Sequence, residues 1–425
     1  KAMNRFPSNY YLKLDYALKL LENGDIQQAV PLLETYKKND PSSNDVKLAQ
    51  ARIAYWEGNY ETALQLLKNE ALLNEKQKQT EQLQAEVMAA SSPWLKLRAD
   101  YLKDDQPLQV MTPAVEAGAY INPFLNPSLS FSDAAFKTDS ASMASQRIAI
   151  GNKFNFYKAG VRLAIEGGFV QLPNKEKTVT GSIDITKTCF RYLQLSGQAA
   201  LQPYLVTLSS ISNTIVPAHV ALSTGWNNLN SWNGKVASSI DYFSKDKNRI
   251  YNISAWVFTP PVIVQMFQFR LGYAYAYSNS KENRYMQKKN LSEIIAGYAT
   301  TPTIAGSYNP YFTPADQQVH SVLLNLTFNQ NNPLQVGATA AIGFFGKTDD
   351  PYLFLDKNKN NEVFVSRGYS RVNFYPTKID VFVLYKIAKK VSLKTSYAFL
   401  KNNFYMCHSA GLSVVINFWN DQSKK

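Results

Sequence analysis

Nine charged residues, Arg162, Glu166, Asp184, Lys235, Asp241, Arg270, Asp380, Lys386 and Lys394, stand in runs that otherwise alternate large apolar residues with small or hydroxyl ones. A period of two puts the charges on one face of a strand and the apolar residues on the other. Where the apolar face meets lipid, the charged face lines a hydrated interior. There its members either pair across the wall or line a route for an anionic or hydroxyl-rich polymer. These nine are the lumen and transport candidates. His320-Ser321 and His408-Ser409 are adjacent His–Ser pairs, but strand neighbours point to opposite faces and no acid or oxyanion donor accompanies either. No catalytic residue is assigned, and the chain is not read as an enzyme.

Other reactive residue types are sparse. The two cysteines, Cys189 and Cys407, and the three histidines, His219, His320 and His408, are scattered without metal-ligand spacing. No metal and no cofactor are expected. In the topology below the cysteines fall at opposite ends of the wall, so no disulfide joins them. Asp356, Asn358, Asn360 and Glu362 alternate as calcium-loop oxygens do, without the central Gly or the distal bidentate Glu, and read as a polar loop tip.

The elements that must position the nine charges are strands. Phe267, Phe269, Leu271, Tyr273, Tyr275 and Tyr277 alternate with Gln268, Arg270, Gly272, Ala274, Ala276 and Ser278. Val391, Leu393, Tyr397 and Phe399 alternate with Ser392, Lys394, Ser396 and Ala398. Runs of this kind predict fourteen strands, at about 114–121, 146–156, 158–170, 178–188, 190–201, 215–226, 233–244, 249–259, 262–278, 319–329, 333–346, 376–388, 390–401 and 404–419. They form an antiparallel transmembrane β-barrel over residues 110–425. Short connections alternate with longer ones, among them 122–145, 279–318 and 347–375, which places both chain ends in the periplasm. Leu291–Tyr298 and Val363–Phe374 could add two strands, so sixteen is the alternative count. No run of 18 uncharged apolar residues predicts a transmembrane helix. The start at Lys1 is read as a processed or trimmed one, with an export signal upstream.

Residues 1–109 read as a helical domain. Hairpins are predicted over about Tyr10–Lys38 and Asn44–Lys68, with Gln77–Ala90 and Pro93–Lys103 as a third, degenerate pair. Gly24 and Ala29 recur as Gly58 and Ala63, 34 residues on. That is the period of tetratricopeptide repeats, in which Gly permits the turn and Ala lets the helices approach.

The net charge of +13 is uneven: residues 1–109 hold 14 basic and 15 acidic residues, and residues 110–425 hold 31 and 17. Basic side chains from Lys137 to Arg371, including Arg284 and Arg367, fall in the outer loops, where lipopolysaccharide phosphates are the simplest partner. The charge is interleaved with lipid-facing strands, so nucleic acid is not a partner. Ser409, Gly411, Val414, Ile416, Phe418 and Trp419 resemble the terminal strand signal read by the barrel assembly machinery. Ser307-Tyr308-Asn309-Pro310-Tyr311-Phe312-Thr313-Pro314 is similar to a Tyr-x-Pro-rich segment of cellulose-export barrels and is expected to open a strand.

Helical repeats followed by a barrel resemble the outer-membrane exporters of cellulose and poly-N-acetylglucosamine and the YaiO-type barrels. The resemblance implies a conduit in the bacterial outer membrane that exports an exopolysaccharide. Its periplasmic repeats would engage inner-membrane or periplasmic partners, or the polymer itself. A surface-lipoprotein translocon similar to the Slam family is the alternative, with a lipoprotein as cargo, and a non-transporting scaffold or adhesion barrel is a third class.

Overall fold

The computed structural model describes residues 10–22, 26–68, 76–139, 141–189, 193–226, 231–298, 304–329 and 333–419. Among the described residues five helices come first: α1 (Tyr10–Glu22), α2 (Ile26–Asn39), α3 (Asn44–Glu57), α4 (Tyr60–Leu67) and α5 (Gln77–Ser91). They pack into two apolar clusters, one around Leu14, Ala29 and Leu33, the other around Leu48, Ala63 and Val87. Ala29 and Ala63 are fully buried. Gly58 closes α3 at φ +81°, a left-handed conformation that favours glycine. Gly24 lies outside the described residues.

Sixteen strands then form one closed antiparallel wall: β1 (Trp94–Asp104), β2 (Gln109–Gly118), β3 (Pro127–Lys137), β4 (Ser142–Phe156), β5 (Val161–Gln171), β6 (Lys177–Thr188), β7 (Leu193–Leu201), β8 (Ala218–Trp226), β9 (Asn233–Phe243), β10 (Asn248–Phe258), β11 (Phe267–Ser280), β12 (Gln317–Phe328), β13 (Leu334–Lys357), β14 (Thr377–Ala388), β15 (Val391–Lys401) and β16 (Met406–Asn417). Each pairs with its sequence neighbours. β1 closes the ring on β16 through eleven positions, from Trp94↔Asn417 to Asp104↔Cys407. Closure leaves no edge, the condition for placing a sheet in lipid, where each unpaired peptide group costs several kcal/mol.

Sixteen, the alternative count, therefore replaces fourteen, and the two further strands are not Leu291–Tyr298 and Val363–Phe374. Pro93–Lys103, expected as helix, is β1. Its Leu, Ala, Lys and Arg content favours a helix, but Leu95, Leu97, Ala99 and Tyr101 alternate with Lys96, Arg98 and Asp100, and pairing on both sides fixes it as a strand. The expected loop 122–145 contains β3, whose Ser128, Ser130 and Ser132 read as loop by composition but alternate with Leu129 and Phe131. The strand expected at 114–121 is β2, and it runs in the opposite sense. Leu291–Tyr298 is a helix. Val363–Phe374 is a strand, but it pairs only with the extension of β13 beyond the wall. The helical part ends at Ser91 and the wall begins at Trp94, earlier than residue 110.

The wall's exterior is mostly apolar. Leu97, Phe131, Ile150, Phe169, Ile183, Leu222, Leu271 and Leu412 are each at least 42% exposed, a pattern that in water would be an aggregation liability and in lipid is the solvated face. Both termini of the wall lie at one end, called here the near end, where the helices sit. Cys189 lies at the near end and Cys407 at the far end, and both are free.

Candidate functional site: the lumen and its two mouths

Strand register puts all nine sequence-derived charges on the lumen face and gathers them with others. Glu166 forms a close ion pair with Arg147. Asp241 Oδ1 is 2.7 Å from His219 Nδ1, and Asp241 Oδ2 accepts from Asn252 at 3.3 Å. Asp380 holds Lys378 at 3.3 Å. Lys394 lies 5.4 Å from the centre of the Phe382 ring. Arg270 is only 9% exposed and shares a cross-strand row with Asn325, Thr339 and Asp380. Asp184 and Arg162 line one near-end cavity of about 420 Å³ together with Lys153. Lys235 and Lys386 lie near the same end, on β9 and β14.

A further lumen cluster escaped the sequence reading: Lys96–Glu116 at 3.1 Å, Arg98–Asp100 at 2.8 Å and Arg98–Glu116 at 3.8 Å. The composition of β1 favours a helix and so masks the cluster, although the period-two signal is present. Arg147 and His219 lie within predicted strands, where the same alternation puts them on the lumen face. Asp100, Glu116, Glu166, Asp241 and Asp380 each stand against a basic side chain, so these acids of the lumen are locally balanced. Such pairing stiffens a wet interior.

The near mouth carries the helices. Asn155 Nδ2 donates to the Glu57 carbonyl at 2.9 Å, Arg162 donates to the Trp56 carbonyl at 3.1 Å, and the Tyr120 hydroxyl donates to the Gly58 carbonyl at 3.4 Å. The wall thus caps the orphan carbonyls at the end of α3. A Cβ on Gly58 would sit 1.6 Å from Asn155 Nδ2, so docking as well as φ requires glycine. The Tyr60 and Tyr120 rings are 4.7 Å apart. Burial, then the neighbouring Tyr60, pushes the Tyr120 phenol up to about 12. Burial also raises the Glu57 carboxyl above the usual range.

The far mouth is narrowed by two segments that fold inward. Residues 202–217, between β7 and β8, contain the short helix α6 (Leu208–Ile211). They cross to the inner face of β2–β4, where Ile211 and Leu205 pack with Leu108 and Phe136. Asn174 holds Thr214 at 2.9 Å, and the Glu176 carboxylate accepts from Thr214 as well. The second segment is the stretch expected to open a strand. Tyr308 ends a short strand, Gly306–Tyr308, paired with Tyr285–Gln287, and the chain then enters the mouth; the wall strand β12 begins only at Gln317.

Tyr311 is 1% exposed, stacked 3.6 Å from Phe243. Its hydroxyl donates to Asp246 at 2.5 Å, and Arg284 holds the same carboxylate at 2.9 Å. Burial, then the hydrogen bond to Asp246, pushes the Tyr311 phenol up to about 12. The segments are joined by the Thr207 hydroxyl donating to the Pro310 carbonyl at 2.7 Å. Three of the loop cations act as fasteners: Arg284, Arg367, which donates to the carbonyls of Asn283 and Tyr285, and Arg371, which pairs with Asp349 and Asp316.

His320 and His408 face outward, beside the Tyr273 and Tyr397 hydroxyls at 2.6 and 2.8 Å, while Ser321 and Ser409 fall on the lumen face. The two members of each His–Ser pair stand on opposite sides of the wall. The Asp356–Glu362 tip spends its oxygens on itself, with Asn358 accepting from the amides of Asn360 and Glu362. Among the described residues no three His, Cys, Asp or Glu side chains could hold a metal. Of the terminal-strand residues, Ser409 and Gly411 face the lumen and Val414 and Ile416 the exterior. Phe418 donates its amide to the Pro93 carbonyl at 2.8 Å, and the Trp419 carbonyl accepts from Lys390.

No protein-family model matches this chain, and no curated protein matches it in sequence. Among solved structures it is similar to a bacterial polysaccharide outer membrane secretin, at 9% identity over 77% of this chain and 99% of that one, with a TM-score of 0.54. It is also similar to OpdK of Pseudomonas aeruginosa, solved with vanillate, at 10% identity over 77% and 98% of the two chains and a TM-score of 0.38. A third is a loop-deletion form of OmpT from Vibrio cholerae, at 8% identity, 77% and 98% coverage and a TM-score of 0.35. At this identity the secretin likeness speaks for the fold, that of an outer-membrane β-barrel. With the apolar exterior it supports an outer-membrane location.

Proposed function

We propose that this protein is an outer-membrane conduit that exports an exopolysaccharide and performs no catalysis of its own. The observation that carries the reading is a closed wall with a hydroxyl- and charge-lined lumen, in the fold it shares with a polysaccharide secretin. The helices read as tetratricopeptide-like repeats. Docked on the near mouth by Asn155, Arg162 and Tyr120, they would face the periplasm and receive the polymer or the proteins that deliver it. Exposed basic side chains of the far loops would contact lipopolysaccharide, and the barrel assembly machinery would insert the wall.

A lateral route for a lipoprotein is less well supported, because the β1–β16 seam is paired over its whole length. The test is export in cells carrying Arg270→Glu and Lys394→Glu together. Surface polysaccharide should fall while the amount of folded barrel in the outer membrane holds. Unchanged export at equal barrel levels would overturn the lumen role.

A further inference from the structure

The segment 202–217 does not fill the lumen it crosses. Part of it packs on β2–β4, and beside Leu205 and Val206 it leaves a cavity of about 600 Å³ lined by β14–β16, β1, β2 and β3, within the ~300–1,000 Å³ typical of small-molecule sites. We infer that this eyelet is a saccharide-binding constriction that selects an uncharged, hydroxyl-rich glycan chain over a polyanion or a polycation. The inference rests on the conduit reading above and adds the substrate class.

Three features carry it. The first is amphipathic walls. Leu205 and Val206 from the segment line it together with Phe382, whose ring lies over the bare backbone of Gly337, where a Cβ would come within 2.2 Å of it. A pyranose presents apolar C–H faces that suit such walls, as ring stacking suits planar ligands. The second is polar groups at the edges. Asp100 and Asp380 offer acceptors and Lys394 a donor, the complement that sugar hydroxyls require. The third is charge balance. Arg98 stands against Asp100, Lys378 against Asp380, and Lys394 lies over the Phe382 ring, so the carboxylates are paired, the excess is a single cation, and no run of one sign meets a charged polymer.

The experiment is single-channel recording of the full-length protein in planar bilayers with three hexamers of equal length: maltohexaose, hexagalacturonate and hexaglucosamine. Maltohexaose should interrupt the current at the lowest concentration. Asp380→Asn, which keeps the side-chain shape, and Phe382→Ala should each raise its half-blocking concentration roughly tenfold. Stronger block by either charged hexamer overturns the inference. So does block by maltohexaose that neither variant changes, or a steady current that no hexamer interrupts; in both cases the conduit reading stands. Absence of any current in the full-length protein overturns the conduit reading and the eyelet with it.

Discussion

Replacing Tyr311 by Phe tests how the far mouth is held. The substitution removes one hydroxyl and keeps the ring stacked on Phe243. The lost bond is a 2.5 Å contact to a carboxylate, and bonds to charged groups contribute ~1.5–3 kcal/mol. Arg284 still holds Asp246 at 2.9 Å, so the carboxylate is not orphaned and the cost falls at the lower end, ~1.5–2 kcal/mol. At ~1.4 kcal/mol per decade, local opening of residues 306–316 becomes roughly 10- to 30-fold more frequent. Tyr311→Ala also discards a buried aromatic side chain, ~3–5 kcal/mol, and should abolish protection of the segment. The assay is hydrogen exchange of the peptide that includes Asn309 and Phe312, whose amides donate to the Arg284 carbonyl and the Tyr204 hydroxyl. Exchange in both variants at the wild-type rate would refute the reasoning, for the segment would then be held by something other than Tyr311.

Two further outcomes concern the helices. Burial raises the Glu57 carboxyl, so the folded state binds its proton more tightly than the unfolded chain does. Stability from this group is complete below the ordinary carboxylate range and is lost as pH rises through the folded value. Thermal melting of the helical segment should therefore show Glu57→Gln more stable than wild type at neutral pH, the difference vanishing toward pH 4; equal melting at neutral pH would remove Glu57 from the account. Ala29→Trp and Ala63→Trp place large rings at fully buried positions, where overpacking costs ~1–3 kcal/mol or more. Far-ultraviolet helical signal should fall while the wall keeps its heat-modifiable gel shift, and an intact helical signal in both would show that these positions can repack.

Much of the wall was legible in the sequence because its two sides face different solvents. Lipid favours apolar residues on one face, and that preference leaves a period of two in the strands, including β1 and β3. Those two were hidden by composition: the Leu, Lys and Ala of β1 favour a helix, and the serines of β3 favour a loop. What moved them into the wall is the closure of the ring, a pairing between Trp94 and Asn417 that no local pattern encodes. The lumen face of Arg162, Arg270 and Lys394 followed from the same alternation. Their neighbours did not, because Lys394 meets Phe382 and Arg162 meets the end of α3 only through register and docking. Gly58 shows the division in one residue. Its place at a helix end, before Asn59, was readable, whereas the approach of Asn155 that also excludes a side chain belongs to the assembled molecule. The eyelet lies wholly on the tertiary side. Nothing local in residues 202–217 says that they turn inward, since what holds them is apolar contact with Leu108 and Phe136 on strands distant in sequence, and hydrophobic burial carries no record of its partner in the chain.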